Sequence, residues 1–238
     1  TTINEEAIRQ YLESLFLLSE PRGQEASGLV LVSNKEAKIY KKGLQPSKLI
    51  KSEGFKKYLQ SSLKPFKSPC DSGIPESIAA IGHCRLVTNG AEIIARNNQP
   101  ILAGNTFGVH NGIIVNDLAL WKAHPKAQRH LNTDTEILLK LIDQSCEKGQ
   151  EIKTAVRNAF KEIKGSASLA CFRKETDGLI LATNFGSLFY CLLKSKGLFF
   201  FASERHFLQT FLNDHFAEYG NEDKQVVQIK AGFGRIVS

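Results

Sequence analysis

The sequence predicts an α+β fold, one domain of antiparallel sheets covered by helices, and three observations carry that reading. Helical periodicity opens the chain and returns in its middle. After Gly165 short strand-like runs follow at regular spacing, each divided from the next by a Gly-containing turn. Strand and helix do not alternate as a parallel sheet would require.

Taken in order, residues 4–18 place Ile8, Tyr11, Leu12, Leu15 and Leu18 on one helical face. Asn4 or Thr2 is available as N-cap, Glu5 and Glu6 complement the first turn, and Pro21 ends the run. Residues 28–32 and 37–40 read as short strands, residues 47–59 as one basic amphipathic helix, and the Ser/Pro/Lys stretch to Glu76 as a loop. The small, apolar run 77–86 suits a buried strand, and 105–110 another. Helical spacing returns over 135–146 and 151–163, where Ile152, Val156, Phe160 and Ile163 share a face that Gly165 stops. Strands are expected at 167–172, 179–183, 188–193 and 198–202, a short helix at 205–212, and last strands at 226–229 and 234–237.

Composition narrows the function classes. A chain of 238 residues with 42% hydrophobic and 23% charged residues is enough for one globular domain with a sizeable core. The formal charge of +7 first suggests a nucleic-acid partner, but it is local. Between Lys35 and Lys67 stand ten Lys and only two acids, Glu36 and Glu53, so the rest of the chain sums to −1. With no Arg and only scattered aromatics there, the segment reads as a solvated helix face and loop, and nucleic acid is not expected as a partner. No apolar stretch is long enough for a bilayer-spanning helix and no signal peptide opens the chain, so no membrane partner is expected. The five cysteines, Cys70, Cys84, Cys146, Cys171 and Cys191, contain no C-x-x-C pair and suggest neither a disulfide framework nor a zinc site. A cytoplasmic location fits them. The absence of Met implies that the sequence does not begin where translation began.

The chemistry is concentrated between Gly82 and Asp134: G-H-C-R-L-V-T-N-G (Gly82 to Gly90), N-N-Q-P (Asn97 to Pro100), G-V-H-N-G-I-I (Gly108 to Ile114) and N-T-D-T-E (Asn132 to Glu136). Alone, each polar residue has a structural use: an Asn-Gly pair makes turns, a lone His sits in cores, and Thr-Asp-Thr caps helices. Together they describe a pocket. Arg85 leaves a buried strand, and its guanidinium suits a bidentate carboxylate. Asn111 and the Gly112 N–H offer two donors to one point, as an oxyanion needs. Asp134, at a helix start, can receive an ammonium. A zwitterionic amino acid with an amide or ester to be cleaved would satisfy all three.

The order and spacing of these motifs resemble the class II glutamine amidotransferase domain, the N-terminal-nucleophile type. Glu20-Pro21-Arg22-Gly23 with Ala26-Ser27-Gly28-Leu29, Lys164-Gly165-Ser166-Ala167 and Ala202-Ser203-Glu204 extend the likeness over nearly the whole chain. The resemblance implies a four-layer α/β/β/α sandwich of two antiparallel sheets spanning 1–238, hydrolysis of glutamine to glutamate and ammonia without a cofactor or metal, and a synthase or acceptor domain or subunit as partner. By position it implies Arg85 on the α-carboxylate, Asp134 on the α-ammonium, Asn111 and Gly112 as the oxyanion hole, Thr88 and Asn89 lining the pocket, and Arg22 ordering the region near the nucleophile.

One departure bears on catalysis. The family's nucleophile is an N-terminal cysteine on the first strand, with its own amine as base, whereas this sequence opens Thr1-Thr2-Ile3 directly before the first helix. Cys84 is not a substitute, because it neighbours His83 on a strand and points to the opposite face, as a buried structural thiol. Two explanations stand: the first strand lies outside this sequence, or the domain binds glutamine without hydrolysing it, as a regulatory or structural module. Leu86, Asn89 and Gln99 stand where the family commonly has an aromatic and two histidines.

Overall fold

A computed structural model of the chain describes residues 4–33, 36–63, 77–86, 95–174, 178–220 and 222–237. In chain order, α1 (Glu5–Ser19) precedes the antiparallel pair β1 (Ala26–Ser33) and β2 (Glu36–Lys42), the helices α2 (Pro46–Leu49) and α3 (Glu53–Leu63), and β3 (Ile78–Arg85), which pairs back onto β1. β4 (Ile101–Ala103) and β5 (Thr106–Ile114) follow, then α4 (Asp117–Ala123), α5 (Asp134–Glu147), α6 (Ile152–Glu162), β6 (Gly165–Arg173) and β7 (Leu179–Thr183). The described chain closes with β8 (Phe189–Leu193), β9 (Leu198–Ala202), α7 (Arg205–His215), β10 (Val227–Gln228) and β11 (Phe233–Val237). The strands form three antiparallel sheets, ordered β2-β1-β3, β10-β8-β9 and β11-β7-β6-β5-β4.

The period-two alternation of strand side chains sets how the sheets stack. From the five-stranded sheet, Phe107, Val109, Ala170, Phe172, Leu179 and Leu181 turn to one side, where they meet Val30 and Ile81 of the first sheet and Leu188 beside the third. On the other side Ile114, Leu169, Cys171 and Ile180 pack against Ile137, Leu138 and Ile142 of α5 and Ala155, Val156 and Ala159 of α6. Leu29 and Leu31 carry the first sheet's outer face onto Phe55, Leu59 and Leu63 of α3, while Cys191 and Phe200 carry the third sheet's onto Phe207, Phe211 and Leu212 of α7. Each large apolar side chain buried in these seams contributes about 2 kcal/mol. The layers run α/β/β/α, as expected.

One of the two β layers is split. The two three-stranded sheets lie side by side on one face of the five-stranded sheet, and β3 and β9 are edge strands of their sheets among the described residues. Helix α1 spans both halves: Phe16 lies over Gly82 of β3, and Tyr11 meets Phe200 of β9 edge-on with ring centroids 5.8 Å apart. At the end of β3, Gly23 packs against the Arg85 backbone, and Arg22 reaches Glu204, just past β9, at 3.2 Å. β3 and β9 therefore end together at the C-terminal end of α1.

Three elements differ from the sequence reading. The helix expected over 47–59 is two helices, because the Ser52 hydroxyl donates to Leu49 O at 2.7 Å and accepts from Phe55 N at 3.3 Å, closing α2 and opening α3. That break carries neither Gly nor Pro. β4 and α4 were not expected; each is short, and tertiary pairing supports it more than periodicity does. In the basic segment Lys38, Lys42, Lys48, Lys51, Lys56 and Lys57 are exposed, as a solvated face requires, and Lys41 is not. Among the described residues no helix is long and apolar enough to cross a membrane.

Two expectations follow from this packing. A Cβ on Gly28 would run into Gln99 O, Lys41 Cβ and Pro100 Cδ, so Gly28→Ala is expected to lower stability by roughly 1–3 kcal/mol in urea denaturation. The second concerns His83 of β3, whose ring Nδ1 is buried without a partner among the described residues. Burial, helped by His110 and Arg85, pushes its pKa down to about 3. The folded state thus resists a proton that the unfolded chain takes up near pH 6.5, so this contribution is full above about pH 6.5 and is lost as pH falls toward 3. Denaturation between pH 7 and 4 should show that loss, and His83→Asn should flatten it.

Candidate active site

Three consecutive polar residues, with Lys41 from another strand, build the site's frame. Gln99 lies just before β4, opposite His110 of β5, and its side-chain amide replaces the missing ladder bonds: Nε2 donates to His110 O at 2.9 Å and Oε1 accepts from His110 N at 2.5 Å. Asn98, fully buried, accepts from Arg85 Nη1 at 2.5 Å through Oδ1. Asn97 Oδ1 accepts from Asn132 N at 3.3 Å, two residues before Asp134. Asn97, Asn98 and Gln99 thus tie the end of β3, the middle of β5 and the start of α5 into one joint. The fourth, Lys41, binds the joint from outside: its ammonium donates to Asn98 O at 2.6 Å, Pro100 O at 2.9 Å and Arg96 O at 3.2 Å.

Each expected site residue that the structure describes has a definite place. Arg85 is buried and lies on the same side of β3 as Ile81, facing the five-stranded sheet. Asn111 follows Val109 on the same side of β5, so its side chain turns into the space between the β layers. Gly112 has φ +133°, and a Cβ there would also collide with Ser166 O; glycine is required on both counts. The Asn-Gly pair is therefore inside a strand and not a turn. Thr133 is the N-cap of α5, accepting from Thr135 N at 3.1 Å, which leaves Asp134 for other work. The Asp134 carboxylate accepts from Ile114 N at 2.8 Å through Oδ2, with Oδ1 3.8 Å from His110 Nδ1. Burial lowers the His110 pKa, and the Asp134 charge pulls the other way. Arg22 bridges to Glu204 across the split layer. Thr88 and Asn89 lie outside the described residues.

The joint connects Arg85, the Asn111 strand and the Asp134 helix start, as a pocket for one small zwitterion would need. Cys84 is excluded as a nucleophile: its Sγ faces Phe16 O of α1, and burial pushes its thiol pKa up to about 12, so no useful fraction ionises at neutral pH. Sequence reasoning missed the roles of Lys41, Asn98, Gln99 and His110. The N-N-Q-P run was visible, and three consecutive amides ahead of an apolar strand are the signal that it binds other segments. Lys41 gave no signal among its neighbouring lysines.

Comparison with known proteins identifies the family and the fold. The family described as "Glutamine amidotransferase domain" matches residues 83–210, more than half of the chain. The isomerizing glutamine-fructose-6-phosphate aminotransferase of Zymomonas mobilis is 34% identical over 109 residues, covering 45% of this chain and 18% of that protein. Its counterpart from Bartonella quintana is 28% identical over 169 residues, covering 70% and 25%. The chain thus spans a quarter or less of these two relatives. Glutamine phosphoribosylpyrophosphate amidotransferase from B. subtilis shares the fold, with a TM-score of 0.67 at 20% identity over 96% of this chain and 44% of the other. Family match, relatives and fold agree: the chain belongs to the glutamine amidotransferase domain family, of the class II, N-terminal-nucleophile type.

Proposed function

We propose that this domain hydrolyses glutamine to glutamate and ammonia for a synthase or acceptor domain or subunit, with the nucleophile delivered by a strand seated between β3 and β9. The observation that carries the reading is the joint of Asn97, Asn98 and Gln99, which links Arg85 at the end of β3, the strand that carries Asn111 and Gly112, and the start of α5 that carries Asp134. In this reading Arg85 takes the α-carboxylate and Asp134 the α-ammonium, so glutamine is selected by its charged ends. Thr88 and Asn89 are assigned to the pocket lining by their place in the motif, and Arg22 to ordering the region near the nucleophile. Attack on the side-chain amide moves charge onto the carbonyl oxygen, where Asn111 and the Gly112 N–H receive it as fixed dipoles that need no reorganisation. The amine of an N-terminal cysteine would accept the thiol proton and pass it to the departing ammonia.

The split layer supports the placement of that strand. Among the described residues no strand pairs with the outer edges of β3 and β9, and an antiparallel strand starting beside Arg85 would run back toward the N-terminal end of α1. The 15 residues of α1 span about 22 Å, the length of about six or seven strand residues, so strand and helix would match.

Glutamine turnover by the full-length protein tests the reading. Asn111→Ala is expected to lower kcat by roughly 100-fold or more with little change in KM. Arg85→Ala should instead raise KM for glutamine by roughly 10–100-fold. A full-length protein with a free N-terminal cysteine and no turnover, alone or with its acceptor partner, would overturn the proposal.

A further inference from the structure

Resting on the reading of Arg85 as the carboxylate-binding residue, we propose that Lys41 is a positioning residue for that interaction: by holding the Asn97–Pro100 joint through three backbone carbonyls, it fixes Asn98 and so aims Arg85 at the α-carboxylate of glutamine. The geometry is a relay of two short contacts. Lys41 Nζ lies 2.6 Å from Asn98 O, and Asn98 Oδ1 lies 2.5 Å from Arg85 Nη1. Backbone and side chain of one fully buried residue are therefore held from opposite directions.

Three features set Lys41 apart from a lysine that merely packs. It is half-buried, while the other described lysines between Lys38 and Lys57 are exposed. Its three ammonium hydrogens match three carbonyls, of Arg96, Asn98 and Pro100, and a lysine has no more than three to give. The segment is also clamped from behind, because Gly28, the register partner of Lys41, leaves no room for a Cβ against Gln99 O and Pro100 Cδ. Burial costs the charged form, and the pKa of Lys41 is down to about 8, with Arg85 adding repulsion. An ammonium kept there beside a second cation is an unfavourable way to fill space. It is a suitable way to tie carbonyls down and to hold positive potential where a carboxylate binds.

The loss of Lys41 should thus be selective for the carboxylate. The probes are L-glutamate, the product, and its α-carboxamide, neither of which is turned over, with binding to the full-length protein measured by calorimetry. The wild type is expected to bind glutamate at least tenfold more tightly than the carboxamide. Lys41→Met should weaken glutamate about tenfold and leave carboxamide affinity within about twofold. Asn98→Ala, which keeps the lysine contact to the backbone and removes the side-chain amide, should likewise weaken glutamate and not the carboxamide, which covers the case of a lysine variant that folds poorly. Equal weakening of both probes in Lys41→Met, or selectivity retained in Asn98→Ala, would overturn the proposal. Arg85→Ala separates the two readings. If it too leaves the preference for glutamate unchanged, the carboxylate assignment of Arg85 is wrong; if it abolishes the preference while Lys41→Met preserves it, only the role of Lys41 fails.

Discussion

The arrangement depends on the side-chain oxygens of Asn97, Asn98 and Gln99 accepting from partners at three different places, the entry to α5, β3 and β5. Buried amides without partners would cost roughly 1–3 kcal/mol each, so the chain is held to conformations in which β3, β5 and the entry to α5 converge on this segment. A fold with its sheets packed correctly but this segment displaced by a few ångströms would keep its apolar core and lose the site. Gln99 shows the economy of the solution, since its side chain continues the pairing of β4 with β5 two residues beyond Ile101, at His110.

Electrostatics around the joint separate two ends. Arg85 and Lys41 gather positive charge near Asn98, while Asp134 and Glu136 stand at the start of α5. Glu136 is spent on the backbone, accepting from His130 N at 3.0 Å and Leu131 N at 2.8 Å, and so shapes the loop leading into Asp134. A similar division of labour appears on the far side of α5, where Asp143 accepts from Asn105 N and Thr106 Oγ1 and meets Arg173, fastening α5 to the β4–β5 turn and β6. The helix that presents Asp134 is fixed at both of its ends.

Much of this was legible in the sequence, for physical reasons that differ by element. Periodicity gave α1, α5 and α6 because each buries one stripe, and Gly-bounded apolar runs gave β6 to β9 because those strands are short and regular. The break between α2 and α3 was not legible, since a single serine makes it. β4 was not legible either: three residues carry no periodicity, and the strand exists because β5 pairs with it. At the site, Arg85, Asn111, Gly112 and Asp134 stood out as residue types with a chemistry. Lys41, Asn98 and Gln99 did not, because their work is to hold other groups, and that depends on a convergence that no local window contains. Of the lysines that first suggested nucleic acid, the described ones are exposed apart from Lys41, which is half-buried against backbone carbonyls.

The most direct test of the joint as the frame of a glutamine pocket is a crystal structure of the full-length protein with L-glutamate bound. The expected result has the α-carboxylate on Arg85 with Asn98 Oδ1 still holding Nη1, the α-ammonium on Asp134, and the side-chain carboxylate beside Asn111 and Gly112 N. Glutamate bound away from these groups, or Arg85 released from Asn98 in the complex, would contradict it.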